Sequence, residues 1–215
     1  MSGVAFDLPE DVLAVRDGVL RFVESQIVPR LARHHAVLED QRRLYDETGR
    51  YSPEVRALIR EVRMLSADAG FYAMCAPVEL GGGGLGHLVY YAAWEAIYRR
   101  LGGQGTVIPW VIAHWAFGPS RLLTQVSDEA RSRCLDGMMR GETSMCFGLS
   151  EPGAGSDASM IQTRAVKTES GWRITGRKLW TSNAPTAEVC IVFAITDAEK
   201  ATRKAGGISA FLVPT

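Results

Sequence analysis

The sequence predicts an α+β chain, an all-helical bundle followed by an antiparallel β-sandwich or barrel. Two observations predict it. Apolar residues recur at three- and four-residue spacing up to about Gly141 and alternate at strand spacing after it. The helical segments also follow one another with no strand between them, as in a bundle, before short strand-length segments take over. The expected units are residues 1–140, helical, and residues 141–215, a β domain.

In the first half, Val12, Val15, Val19 and Phe22 form a helical stripe behind the start signal Asp7-Leu8-Pro9-Glu10. Pro29 bends or ends that helix. "SPEVRALIREVRML" offers Ser52 as N-cap and Pro53 at the first helical position, with Val55, Ile59 and Val62 facing inward. "LVYYAAWEAIYRRL" and "SDEARSRCLDGMMRG" read as two more helices. "PWVIAHWAFGP" reads as another, apolar all round and hence buried. The arginines from Arg42 to Arg63 alternate with Asp46, Glu47, Glu54 and Glu61 and read as a solvated helical face.

In the second half, "TSMCFGL", "IQTRAVKT", "GWRITGRKLWTS", "EVCIVFAIT" and "GISAFLV" are rich in β-branched and aromatic residues and read as five antiparallel strands. Glu169-Ser170-Gly171 is a hairpin turn, and "TDAEKATRKAGG" a polar loop. Thr215 follows directly on a strand, so the sheet is expected to be truncated at its C-terminal side, with an open edge.

Lys+Arg and Asp+Glu each number 24, so net charge is zero and no long-range field favours nucleic acid or anionic lipid. Cys75, Cys134, Cys146 and Cys190 are scattered, with no metal-ligand spacing, and suit a reduced compartment. The first residues carry early acids and no basic segment ahead of an apolar core, and no apolar run approaches the roughly 20 residues of a membrane span. A cytoplasmic protein with no bound metal is the expectation.

"ELGGGGLGHL" contains G-x-G-x-x-G at Gly81, Gly83 and Gly86, but without the strand and β-α-β unit of a dinucleotide site it reads as a helix connection. "FGLSEPGAGSDAS" stands between two strands. Gly153 and Gly155 let the backbone approach a ligand, with Ser150 and Ser156 as donors; a plain Pro-Gly turn with Asp157 as cap accounts for the spacing equally well. "GRKLWTSNA" favours the ligand reading: Trp180, followed by Thr181 and Ser182, suits a flat aromatic ligand stacked near an indole.

With these segments the chain resembles the acyl-CoA dehydrogenase family of flavoproteins. "GLSEPGAGSD" is similar to its flavin loop, "KLWTSNA" to its second flavin segment and "APVELGGGGLG" to its P-E-x-G-G-x-G turn. Thr181 stands where an apolar residue is commoner. The resemblance implies FAD, held by Phe147, Gly148, Leu149, Ser150, Glu151, Pro152, Gly153, Ala154, Gly155 and Ser156 on one side and Trp180, Thr181 and Ser182 on the other. It implies Leu149 and Ser150 at the flavin's pyrimidine edge, Ser182 Oγ near N5, and Ser156 also touching an acyl-CoA. Glu151 and Asp157 take structural roles. The implied reaction is α,β-desaturation of an acyl-CoA thioester, its base a glutamate of a C-terminal helical domain beyond residue 215, so no catalytic residue is expected within this chain. Electron-transfer flavoprotein as acceptor and a homodimer or homotetramer are likewise implied. An acyl-CoA oxidase or flavin monooxygenase of the same fold, or a non-catalytic truncated subunit, are the alternatives.

Overall fold

The computed structural model describes residues 7–102 and 105–215. Helix α1 (Glu10–Phe22) buries Val12 and Val19 and runs into a π-helical turn, Val23–Ile27, before α2 (Val28–Arg33). Pro29 sits in the first turn of α2, where its missing N–H costs nothing. The N–H of Val28 reaches back five residues to the Val23 carbonyl, so the expected bend is absorbed in a widened turn ahead of the proline.

Two short helices follow, α3 (His35–Leu38) and α4 (Gln41–Leu44), then α5 (Pro53–Asp68), which buries Val55, Leu58, Ile59 and Val62. Ser52 holds the N-cap position but makes no cap bond; its hydroxyl is buried without a partner. Helix α6 (His87–Leu101) packs along α1 through Val89, Ala93 and Ile97. Arg63, expected on a solvated face, is instead buried, with its guanidinium 5.4 Å from the centroid of the Trp110 ring. Charge periodicity could not reveal that an indole would cover one turn of α5.

The segment expected as a helix around Trp110 is a single 3-10 turn, Ile108–Trp110, followed by irregular chain. It is buried at Trp110, Val111, Ile112 and Ala116, but Trp115, also expected inside, is exposed. Its backbone groups find distant partners instead of helical ones: Ala113 N–H donates to Tyr72 O (2.8 Å), and Val111 O accepts from Ser66 Oγ (2.5 Å). The glycine run is a loop. Gly82, Gly83 and Gly84 donate to the carbonyls of Pro77, Ala73 and Ala76, and a Cβ on Gly83 would lie 2.6 Å from Met74 O.

Helix α7 (Asp128–Met139), capped by Ser127 Oγ on Ala130 N (3.3 Å), leads into the sheet. The strands are β1 (Met145–Gly148), β2 (Arg164–Thr168), β3 (Gly171–Thr175), β4 (Val189–Ile195) and β5 (Ile208–Pro214). The polar loop expected before β5 contains helix α8 (Ala198–Thr202), started by Asp197 accepting from Lys200 N–H.

The sheet is mixed, which corrects the antiparallel expectation. β4 pairs in parallel with β1, Cys146 opposite Cys190, and antiparallel with β5; the β2–β3 hairpin joins β4 in parallel through Arg164 and Ile195. Period-two alternation carries no information on strand direction. The sheet remains open, with no closure into a barrel among the described residues. Leu80, Leu123, Cys134 and Met138 from the helical side pack against Met145 and Ile191, covering the start of β1.

Candidate functional site

The end of β1 is where the chain concentrates its unusual features. β3 stops at Thr175, short of the strand expected through Ser182. Residues 176–182 turn away and run beside β1. Leu179 N–H donates to Ser150 O (2.9 Å), and Lys178 Nζ donates to Leu149 O (3.0 Å) and Glu151 Oε1 (2.8 Å). Further along, Asn183 Nδ2 donates to Met145 O (2.9 Å) and Ser144 Oγ (3.2 Å). Two segments about thirty residues apart in sequence are thus tied at both ends.

Between those ties the backbone is strained. Trp180 has φ +56°, a left-handed conformation that a bulky residue rarely adopts, and Asn183, at φ +69°, holds the same region, which asparagine tolerates. Trp180 is 87% exposed. A core tryptophan would be covered, so this indole is presented to solvent by a backbone held in place for it. Ser182 is exposed and Thr181 half-buried beside it.

The facing loop divides into an anchored and an open part. Glu151 and Ala154 are buried and exchange backbone hydrogen bonds, 2.9 and 3.1 Å. Pro152, Gly153, Gly155 and Ser156 are exposed. Among the described residues, no protein acceptor meets the N–H groups of Gly153, Gly155 or Ser156. Three free donors at one turn make a surface suited to an anionic or carbonyl-rich edge. Gly148 is buried, Leu149 and Ser150 are half-buried, and Phe147 packs against Phe193 and, edge-on, Trp115.

Glu151 braces this loop. Its carboxylate accepts from Gln162 N–H (2.6 Å), Thr163 N–H (3.0 Å) and Lys178. Burial pushes its pKa up, but the Lys178 ammonium and these N–H groups outweigh burial and hold it at about 2. Asp157 is likewise occupied, by Ser159 N–H (3.0 Å) and Oγ (2.5 Å) and by Lys204 Nζ (3.0 Å), which together keep it at about 2. Neither is a usable base near neutrality. Lys178 is the residue that the sequence reading missed. Its signal was a lone glutamate in a glycine loop with no cation assigned to it.

The family model for the N-terminal domain of acyl-CoA dehydrogenase matches residues 9–142, and that for the middle domain residues 146–215. The chain belongs to the acyl-CoA dehydrogenase family. The short-chain specific acyl-CoA dehydrogenase of Sus scrofa is 34% identical over 208 residues, covering 97% of this chain and 45% of its own length. The caffeyl-CoA reductase-Etf complex subunit CarC of Acetobacterium woodii is 32% identical over 190 residues, 88% of this chain and 48% of that protein. The crystal structure of glutaryl-CoA dehydrogenase from Mycobacterium smegmatis superposes with a TM-score of 0.67 at 27% identity, over 99% of this chain and 48% of that one. This acyl-CoA dehydrogenase family chain therefore spans about half the length of the relatives it matches.

Proposed function

We propose that this chain forms the flavin bed of an FAD-dependent acyl-CoA dehydrogenase, with residues 1–140 as the helical unit and 141–215 as the flavin-holding unit. The observation that carries the proposal is Trp180, held at φ +56° and exposed beside a loop with three unpaired N–H donors. A flat ring system with a hydrogen-bonding edge meets both features, and the donor set of glycine N–H groups and serine hydroxyls fits FAD. Phe147 through Ser156 hold it on one side and Trp180, Thr181 and Ser182 on the other. When bound, FAD supplies the hydride acceptor for α,β-desaturation of an acyl-CoA thioester.

The chain's own residues supply position and polarity. Lys178 and Glu151 fix the loop, Leu149 and Ser150 offer backbone and hydroxyl groups to the ligand's polar edge, and Ser182 Oγ provides a donor where negative charge develops. Ser156, exposed with its N–H unpaired, is placed to serve the thioester substrate as well. The α-proton needs a base, and Glu151, at about 2 and fully engaged, does not provide one. The family resemblance puts that glutamate outside residues 1–215. Electron-transfer flavoprotein as electron acceptor is supported by the Etf complex to which the Acetobacterium woodii relative belongs.

The test is to purify the encoded polypeptide, release any chromophore by denaturation and identify it, then titrate the apoprotein with FAD. One FAD per chain, lost in Trp180→Ala, supports the proposal. A colourless protein that takes up no FAD overturns it.

A further inference from the structure

Where the helical unit meets the beginning of the sheet lies a pocket of about 340 Å³. Its helical wall comes from the loop before α5 and from α5 itself: Arg50, Arg56, Arg60 and Arg63, with Trp110 beside them. The other wall is residues 184–188, leading into β4. It therefore sits by the N-terminal ends of β1 and β4, whereas the Ser150–Ser156 loop follows the C-terminal end of β1.

The charge there is unbalanced. Among the described residues none of these arginines forms an ion pair, although Arg30, Arg99, Arg100, Arg131, Arg133, Arg140 and Arg203 all do. Glu188 is the carboxylate in the lining, and its Oε2 is committed to Ser144 N–H (2.6 Å) and Oγ (3.1 Å). Asp46, near Arg56, is turned to Thr48 and the Arg50 N–H. Arg60 Nε reaches only the Glu142 carbonyl, at 3.2 Å.

Arg63 is the sharper sign. It is 4% exposed, its Nε is buried without a partner, and its one hydrogen bond is a long one, 3.4 Å from Nη2 to Glu142 O. Stacking on Trp110 offsets part of the cost of burying a guanidinium, but it leaves Nε unmet. A buried cation with a free donor, on the wall of a pocket edged by three more cations, has one carboxylate nearby, Glu188, and the site stays net positive.

We propose that this pocket binds a small phosphate ester, its dianionic phosphate on Arg56, Arg60 and Arg63 and its organic part against Trp110 and Pro185. Guanidinium forks match phosphate oxygens in pairs, and several of them exceed what one monoanion would neutralise. The volume and the apolar wall of Ile59, Trp110 and Pro185 call for more than inorganic phosphate. The proposal does not rest on the flavin reading.

Phenyl phosphate is the probe, titrated calorimetrically into the purified protein in chloride buffer of fixed ionic strength, with inorganic phosphate and benzyl alcohol as half-ligands. One saturable site is expected, with phosphate competing weakly and the neutral alcohol failing to bind. Arg56→Gln/Arg60→Gln, altering side chains outside the core, should keep the melting temperature and weaken binding roughly tenfold or more, as loss of charge-assisted bonds requires. Trp110→Phe should retain binding of inorganic phosphate and weaken that of the phenyl ester. Absence of a saturable site, or an unchanged affinity in the double arginine variant, overturns the proposal and leaves Arg63 a tether for the Glu142 carbonyl.

Discussion

Glu151→Gln removes one negative charge from a buried site. Glu151 is 8% exposed, and the side chain of its partner Lys178 is 13% exposed. The carboxylate titrates at about 2 in the folded chain against 4.5 for a free glutamate. A depressed pKa contributes stability that is fully present above the unfolded value and lost as pH falls through the folded one. At about 1.4 kcal/mol per unit, the contribution at neutral pH is on the order of 3 kcal/mol. Glutamine keeps the shape but turns one acceptor oxygen into a donor, opposite either Lys178 and the Thr163 N–H or the Gln162 N–H. A destabilisation of about 3 kcal/mol is expected at pH 7, since breaking a buried pair strands the remaining charge. Urea unfolding of both proteins measures it. The gap between them should stay constant down to about pH 5 and close between about pH 4.5 and pH 2, the two pKa values that bound the linkage. Lys178→Met should also destabilise, by stranding the glutamate instead. A gap below about 0.5 kcal/mol at pH 7, or one unchanged at pH 3, would refute the brace and the linkage together.

Trp180→Gly should relieve the strain of φ +56° and leave stability unchanged or raised by about 1 kcal/mol, while FAD uptake falls; a large loss of stability would make the indole structural. Ser182→Ala, in the flavin-loaded enzyme, should lower the reduction potential and slow reduction by acyl-CoA, and an unchanged potential would remove Ser182 from the site. The neighbouring Cys146 thiol and the Gly148 N–H draw the Cys190 thiol below its ordinary value, while Cys146 is pushed up by Cys190 and by burial. Iodoacetamide should therefore label Cys190 at a pH below that of an ordinary thiol, and Cys146→Ala should move its labelling midpoint upward; labelling of Cys146 first would reverse the assignment.

Helices with one apolar stripe were legible in the sequence. Val55, Ile59 and Val62 located α5 because a surface helix must turn those positions inward. The stretch around Trp110 was legible as buried but not in shape. An apolar run fixes no period when apolar residues stand on every side, and Ser66 and Tyr72 supplied partners that no local pattern announces. The parallel pairing of β1 and β4 is set by the packing of Met145 and Ile191 on Leu123 and Met138, a long-range event. At the candidate site both segments were legible as motifs. Their joining through Lys178, Leu179 and Asn183 was not, because Lys178 in "GRKLW" looks like any surface charge until a carboxylate lies opposite.

Asn183 has a mechanical consequence. Its amide grips the start of β1 at Met145 O, while Leu179 holds Ser150 O near the other end, so Trp180, Thr181 and Ser182 are the free span of a strap pinned on both sides. A loose three-residue span would surrender roughly 1–2 kcal/mol per residue of backbone entropy on closing over a ligand. Pinned, it has already lost most of that freedom when the chain folds. Binding at this strap should then show little ordering: backbone NMR order parameters across residues 180–182 should be high before any ligand arrives and change little afterwards. Cutting one pin, with Asn183→Ala, would return the span to its slack state and weaken binding chiefly through entropy, although the altered residue need not touch the ligand.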